Sequence, residues 1–364
     1  MKSLARECIK RVKPYTPGKP IEEVERELGL KTVIKLASNE NCFGPSPKAL
    51  RAIIGNARGV NRYPDADSFY LKKALASRLD IGAENLIIGN GSDEIITLAA
   101  RAFLNEGDEV VTARPTFLIY EIASQIANAK IVLVPMKAFR YDLKGMKAAI
   151  TPMTKMVFIA NPDNPAGTYV TKSELSDFFE GLPEGVITFL DEAYFEFAKD
   201  IKDYPNGLDF FKKLKVNLII TRTFSKAYGL AGLRVGYGIA GPEVISALER
   251  VREPFNVNIL AQRAALAALG DNAFLKKTLD HAKREKSFLY TVFQKMGLKY
   301  IKSAANFVLV DVAADSRALF ERMLKSGVIV RDMKAWGLDT FIRVTIGTRE
   351  ENKKFIEVLK KELA

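Results

Sequence analysis

Short apolar runs rich in β-branched residues alternate with amphipathic stretches of helical spacing along most of the chain. The runs that predict strands are 86–89, 109–112, 131–134, 156–160, 186–190, 216–221 and 234–240. Helical patterns such as 92–105 and 117–128 lie between most of them. A strand buried on both faces shows as a continuous apolar run, not as an alternation. Such strands interleaved with helices predict an α/β fold with a mostly parallel sheet of about seven strands, covered on both faces. This large domain is expected over residues 44–255. Beyond it the pattern changes. Helical stretches at 258–270 and 271–296 precede strand-like 306–311, a helix near 315–326, strand-like 327–331 and 341–346, and a helix from 349. That mix predicts a smaller α+β domain over 256–364. Residues 1–43 carry PYTPGKP and a short helix, IEEVERELG, and are expected to complete the smaller domain.

Composition narrows the function classes. The chain has 364 residues and is 48% hydrophobic, enough for a large core. No apolar run is long enough to span a bilayer, and the opening MKSLARECIKRVK lacks the apolar core of a signal peptide. A soluble, cytoplasmic protein is expected, with no membrane partner. Cys8 and Cys42 make neither a disulfide framework nor a metal site. The single histidine, His281, lies in the charged run LDHAKREK and reads as solvated. One histidine argues against Ser-His-Asp triads, Cys-His pairs and multi-histidine metal centres. A general base would then be a lysine or a carboxylate. The formal charge of +12 comes from basic residues mixed among acidic ones, with no basic stripe interleaved with aromatics. An anionic small-molecule substrate suits it better than nucleic acid.

The candidate chemistry centres on TRTFSKAYGLAGLR, residues 221–234. Lys226 follows a strand, with Thr223 and Ser225 just before it and Arg234 eight positions on. An amine there can form a Schiff base, while the hydroxyls and the guanidinium can take a phosphate. GNGSDE, residues 89–94, follows a strand and opens a helix, so the amides of Ser92 and Asp93 make either an anion site or an ordinary cap. In ARPTF, Phe117 either stacks on a planar ring or belongs to the core. NPDNPAGT, residues 161–168, is turn chemistry that can also hold Asn164 as a rigid donor. FLDEAYFEF places Asp191 at a buried strand end, where a carboxylate needs a cationic partner such as a protonated pyridine. Tyr194 can reach the same ring, and Glu192 reads as structural. Tyr63 sits in an exposed turn. Arg343 lies on a strand, where its fork can hold a carboxylate, and Arg331 is a second strand-end arginine. Arg349 is expected to cap the last helix. Together these groups suit pyridoxal phosphate chemistry on an amino acid.

On LASNENCFGPSP, NRYPDA, GNGSDE, NPDNPAGT, DEAYFEF, RTFSKAYGLAGLRVGYGIA, REPFNVN, ANFVLVD and RVTIGTREEN, the chain resembles the fold-type I aminotransferases. Within them it resembles the histidinol-phosphate aminotransferases. The resemblance implies pyridoxal 5'-phosphate held by Lys226, which then shuttles a proton. It implies Asp191 at the pyridine nitrogen, Asn164 and Tyr194 at the phenolic oxygen, and Phe117 on the ring. Ser92, Asp93, Thr223, Ser225 and Arg234 would bind the cofactor phosphate. Tyr63 would reach that phosphate from a partner subunit, which implies a homodimer. Arg343 would take the glutamate α-carboxylate. Tyr15 and Arg331, with Asn39 nearby, would line the substrate end and meet the phosphate of histidinol phosphate. The implied reaction is amino transfer between histidinol phosphate and 2-oxoglutarate in histidine biosynthesis. The alternatives are an aromatic amino acid aminotransferase, a threonine-phosphate decarboxylase, or a non-catalytic cofactor-binding regulator. The last is disfavoured because no DNA-binding extension flanks the domain. The chain departs from the family pattern at Cys42-Phe43, at NPDNPAGT, at Phe117 where tyrosine is common, and at Trp336 beside Arg331.

Overall fold

The computed structural model describes residues 4–214 and 216–364. A two-residue strand, β1 (Ile34–Lys35), precedes seven strands that form one sheet. These are β2 (Leu86–Gly89), β3 (Glu109–Arg114), β4 (Lys130–Pro135), β5 (Thr154–Ala160), β6 (Ile187–Asp191), β7 (Asn217–Thr223) and β8 (Gly236–Ile239). Their order is β2-β8-β7-β6-β5-β3-β4. All pairings are parallel except those of β8, which runs antiparallel to both β2 and β7. From Met156 to Ala160 every side chain of β5 is buried, which explains the unbroken apolar run. The connections run outward from β3 to β4 and then return past β3 to β5. The sheet therefore has a topological switch between β3 and β5, and ligands of open α/β sheets bind at the carboxyl ends beside such a switch.

The main apolar cluster surrounds this sheet. It includes helix Ile259–Leu269, whose Ala261, Ala264, Ala265 and Ala268 form one small-residue face buried against helix Pro47–Asn56. A second sheet has the order β12-β13-β10-β9 and is antiparallel throughout. Its strands are β9 (Lys299–Ile301), β10 (Phe307–Asp311), β12 (Arg331–Asp332) and β13 (Phe341–Thr345). Between β10 and β12 lies β11 (Val328–Ile329), which pairs with β1 in parallel. The N-terminal arm is thereby tied to the C-terminal part. Helices Asn272–Lys295, Ser316–Lys325 and Arg349–Leu363 contribute Leu289, Phe293, Leu319, Met323, Phe355 and Leu359 to a separate apolar cluster there.

Candidate active site

The carboxyl ends of β5, β6 and β7 open into a cavity of about 440 Å³, roofed by residues 15–18 and by β12 and β13. Every site residue expected from the sequence lines this cavity except Tyr63. Tyr63 is 82% exposed and stacks on Phe255 at 4.7 Å.

One end is an anion cradle. Helix Ser92–Phe103 begins there, capped by Gly91 without a side-chain hydrogen bond, so the cap reading of Ser92 and Asp93 does not hold. The first amides of a helix carry partial positive charge and lack intrahelical partners. Gly91 has φ +81° and ψ 169°, and a Cβ there would lie 2.7 Å from Arg234 Nη2. A Cβ on Gly236 would meet Ser92 N at 2.7 Å. Close approach thus requires glycine at both positions. Arg234 stands in the left-handed region, φ +54°, which sends its guanidinium back toward Ser225 Oγ (3.4 Å) and Asp93 Oδ2 (3.3 Å). Thr223 Oγ1 accepts from Ser225 N at 3.1 Å, fixing the turn before Lys226.

The middle of the cavity holds Asp191 and Lys226. Burial pushes the Asp191 carboxyl up to about 6, against hydrogen bonds that favour its charged form. Tyr120 Oη donates to Oδ2 at 2.7 Å, Ala193 N to Oδ1 at 3.0 Å, and Thr221 Oγ1 to Oδ1 at 3.3 Å. A buried carboxylate with neutral donors and no ion pair among the described residues is poised for a cationic ligand. Burial, assisted by the Arg343 guanidinium, pulls the Lys226 amine down to about 8. Its Nζ donates to Ser38 O at 3.3 Å. Tyr194 Oη accepts from Asn39 Nδ2 at 2.8 Å, which leaves its own proton to give. Asn164 Oδ1 accepts from Arg343 Nη1, so the amide nitrogen of Asn164 remains the donor. Phe117 packs edge-on against Tyr120 at 5.6 Å.

The third region is basic. Arg331 and Arg343 are direct partners across the β12–β13 ladder, and both side chains are buried. Arg343 Nη2 donates to Ala37 O (2.9 Å) and Arg331 Nη2 to Thr16 O (2.6 Å). The Nε of each is buried without a partner among the described residues. Like charges side by side are unfavourable, and unpaired buried donors cost more. An anionic ligand would relieve both.

Two expectations are corrected. His281 is buried, with Nε2 2.9 Å from Gly347 O and its ring 4.7 Å from Phe43, because helix Asn272–Lys295 turns this position inward despite its charged neighbours. Arg349 does not cap the last helix. Thr348 and Glu351 form a capping box, and Arg349 pairs with buried Glu285 at 2.9 Å. Glu192 is structural, paired with buried Arg222 at 2.7 Å. Sequence reasoning missed Tyr120. Its only sequence signal is its place one helical turn beyond Phe117. It also missed Asp163, whose carboxyl burial pushes up to about 7 behind Asn164.

Comparison with known proteins agrees with this geometry. Residues 31–359 match the family described as aminotransferase class I and II. The chain is 52% identical over 359 residues to the histidinol-phosphate aminotransferase of Moorella thermoacetica, covering 99% of this chain and 93% of that one. It is 48% identical over 357 residues to histidinol-phosphate aminotransferase 2 of Carboxydothermus hydrogenoformans, covering 98% of each. The crystal structure of histidinol-phosphate aminotransferase from Sinorhizobium meliloti in complex with pyridoxal-5'-phosphate superposes with a TM-score of 0.91 at 31% identity, covering 100% of this chain and 98% of that one. The chain belongs to the class I and II aminotransferase family. Its fold is fold type I, with the mostly parallel seven-stranded sheet expected from its apolar runs. No helix among the described residues is long and apolar enough to cross a membrane.

Proposed function

We propose that this protein is a histidinol-phosphate aminotransferase, moving an amino group between L-histidinol phosphate and 2-oxoglutarate in histidine biosynthesis, with pyridoxal 5'-phosphate as cofactor. The observation that carries the reading is the pairing of two separate anion sites, one at Arg234 and one at Arg331 and Arg343, with Lys226 in the same cavity. The names and the high identity of the relatives support the same substrate.

The cavity fits this cofactor. The glycine-lined cradle suits a phosphate, and Asp191 is a buried carboxyl with no ion pair among the described residues. Bound pyridoxal phosphate supplies an aldehyde that captures amines and a ring that takes up the electron pair left when a proton leaves the α-carbon. The amides of Ser92 and Asp93, with Thr223, Ser225 and Arg234, hold the phosphate. Asp191 keeps the ring nitrogen protonated, and Tyr120 and Thr221 hold that carboxylate in place. Asn164 and Tyr194 would donate to the phenolic oxygen, and Phe117 would cover the ring. Lys226 would hold the cofactor's aldehyde and would carry the substrate's α-proton. An amine lowered to about 8 can do so near neutral pH. Arg343 grips the glutamate α-carboxylate. Arg331, with Tyr15 and Asn39 beside it, receives the phosphate of the other substrate. Exposed Tyr63 reaches the site of a second copy in a cytoplasmic homodimer. The two separate apolar clusters support a division into a large unit and a smaller one that Val24, Leu36 and Ala37 of the N-terminal arm help to complete, whereas Arg6, Cys8 and Arg11 bond to Ile126 and Asn128 of the large unit and helix Ile259–Leu269 joins the large core.

Two measurements test the reading. L-Glutamate should convert the bound cofactor to its amine form, read by absorbance. Histidinol phosphate should then exceed phenylalanine and tyrosine in kcat/KM. No reaction with glutamate, together with carbon dioxide release from threonine phosphate, would sink it. Preference for the aromatic amino acids would leave the chemistry and overturn the substrate.

A further inference from the structure

Arg331 is held by surprisingly little. Among the described residues it has no ion pair, its Nε is buried and unpartnered, and its hydrogen bond runs from Nη2 to Thr16 O at 2.6 Å. Its Cα neighbour across the ladder is another arginine. Two aromatic rings flank the guanidinium: Tyr15 with its centroid at 5.7 Å and Trp336 at 5.1 Å. Both lie within cation–π range. They differ in rigidity. Tyr15 is 40% exposed on the N-terminal arm, whereas Trp336 is 4% exposed.

Trp336 is also pinned. It ends the short 3-10 turn Lys334–Trp336, closed by Gly337 in the left-handed region at φ +74°. Its ring sits in a small apolar cluster with Ala166, Leu309 and Met333. Its Nε1 donates to Thr116 O at 2.9 Å. Thr116 Oγ1 in turn donates to Asp163 Oδ1 at 2.7 Å, and the next residue, Asn164, accepts from Arg343. The indole therefore gives Arg331 a fixed face, and its bond to Thr116 O anchors that face. A smaller or aliphatic residue would lack one or both functions.

We propose that Trp336 is a specificity-determining positioning residue, which fixes Arg331 for the phosphate of the phosphorylated substrate and so separates that substrate from phosphate-free aromatic amines. The proposal rests on the assignment of Arg331 to the substrate phosphate. Arg343 keeps its own bonds to Ala37 O and Asn164 and does not depend on the indole face.

The test uses holoenzyme and the variants Trp336→Phe and Trp336→Leu. Donors are histidinol phosphate and phenylalanine, and inorganic phosphate serves as competitive inhibitor of phenylalanine turnover. For Trp336→Leu, KM for histidinol phosphate should rise about tenfold with kcat little changed, and the phosphate Ki should rise in parallel. Phenylalanine kcat/KM should stay within about twofold. Trp336→Phe restores a ring but not the N–H bond, so its phosphate-specific loss should be about threefold. Equal losses on both donors would reduce Trp336 to scaffolding, and unchanged KM and Ki would dismiss it. Should Trp336→Leu fail to fold, Trp336→Phe alone decides on the same ratio. Wild-type enzyme inert to histidinol phosphate would overturn the substrate assignment. The phosphate Ki series would then still decide whether Trp336 positions Arg331.

Discussion

Gly91→Ala probes the anion cradle at its tightest point. At φ +81° and ψ 169°, Gly91 occupies backbone space that residues with a Cβ avoid, at a cost of about 1–3 kcal/mol. The new methyl would also lie 2.7 Å from Arg234 Nη2 and 3.3 Å from Cζ. The guanidinium is the far end of a flexible side chain, so it would swing away and spare the backbone. Its bonds to Ser225 and Asp93 are long, 3.4 and 3.3 Å, and leaving them costs the apoprotein little. The cofactor loses more. A charge-assisted hydrogen bond is worth about 1.5–3 kcal/mol, which predicts a roughly ten- to hundredfold weaker cofactor Kd. Urea unfolding of apoprotein and absorbance titration with cofactor separate the two effects. Gly107→Ala is the control. Its φ is +88° but nothing lies within 4 Å of its Cβ, so it should lower stability without touching affinity. An unchanged Kd in Gly91→Ala, or an equal loss in Gly107→Ala, would refute the cradle.

Three further outcomes are expected. Tyr120→Phe removes the 2.7 Å donor to Asp191 and should lower cofactor affinity and turnover about tenfold or more, with a shifted cofactor absorbance titration; wild-type behaviour on both counts would remove Tyr120 from the site. Capture of cofactor by the apoprotein should accelerate with pH and reach half its maximum near the lowered Lys226 value of about 8, and a midpoint near the ordinary 10.5 would contradict the buried setting. The folded state holds a proton on Asp163 that the unfolded chain releases. Its stabilising contribution is therefore complete below the ordinary 3.8 and lost as pH rises through about 7. Asp163→Asn should flatten that part of the apoprotein's urea-stability profile, and an unaltered slope would count against it.

The seven strands of the large sheet were legible within a residue or two, because parallel strands buried on both faces leave unbroken apolar runs. The antiparallel course of β8 was not, since its sequence, Gly236–Ile239, carries no mark of direction. Lys226 and Asp191 announced themselves by charge at a turn and a strand end, and Arg343 as an arginine inside an apolar strand. Tyr120 stayed hidden because a tyrosine in a helix reads as core until its hydroxyl is seen on Asp191. His281 misled for the opposite reason: its sequence neighbours are charged, but burial follows the helical face and not the adjacent letters. The link from Trp336 through Thr116 to Asp163 spans 220 positions in its first step, a distance over which sequence pattern carries no signal.

The adjacent arginines on β12 and β13 reach beyond substrate choice. Without an anion, two cations stand side by side, and among the described residues their hydrogen bonds go only to main-chain oxygens and one amide, with no carboxylate paired to either. Sulfate or phosphate from a storage buffer would settle there, as counter-ions do in an exchange resin. Adding such a salt should raise the melting temperature and slow the reaction at once. The choice of buffer would then set which of two properties, shelf life or speed, the same preparation displays.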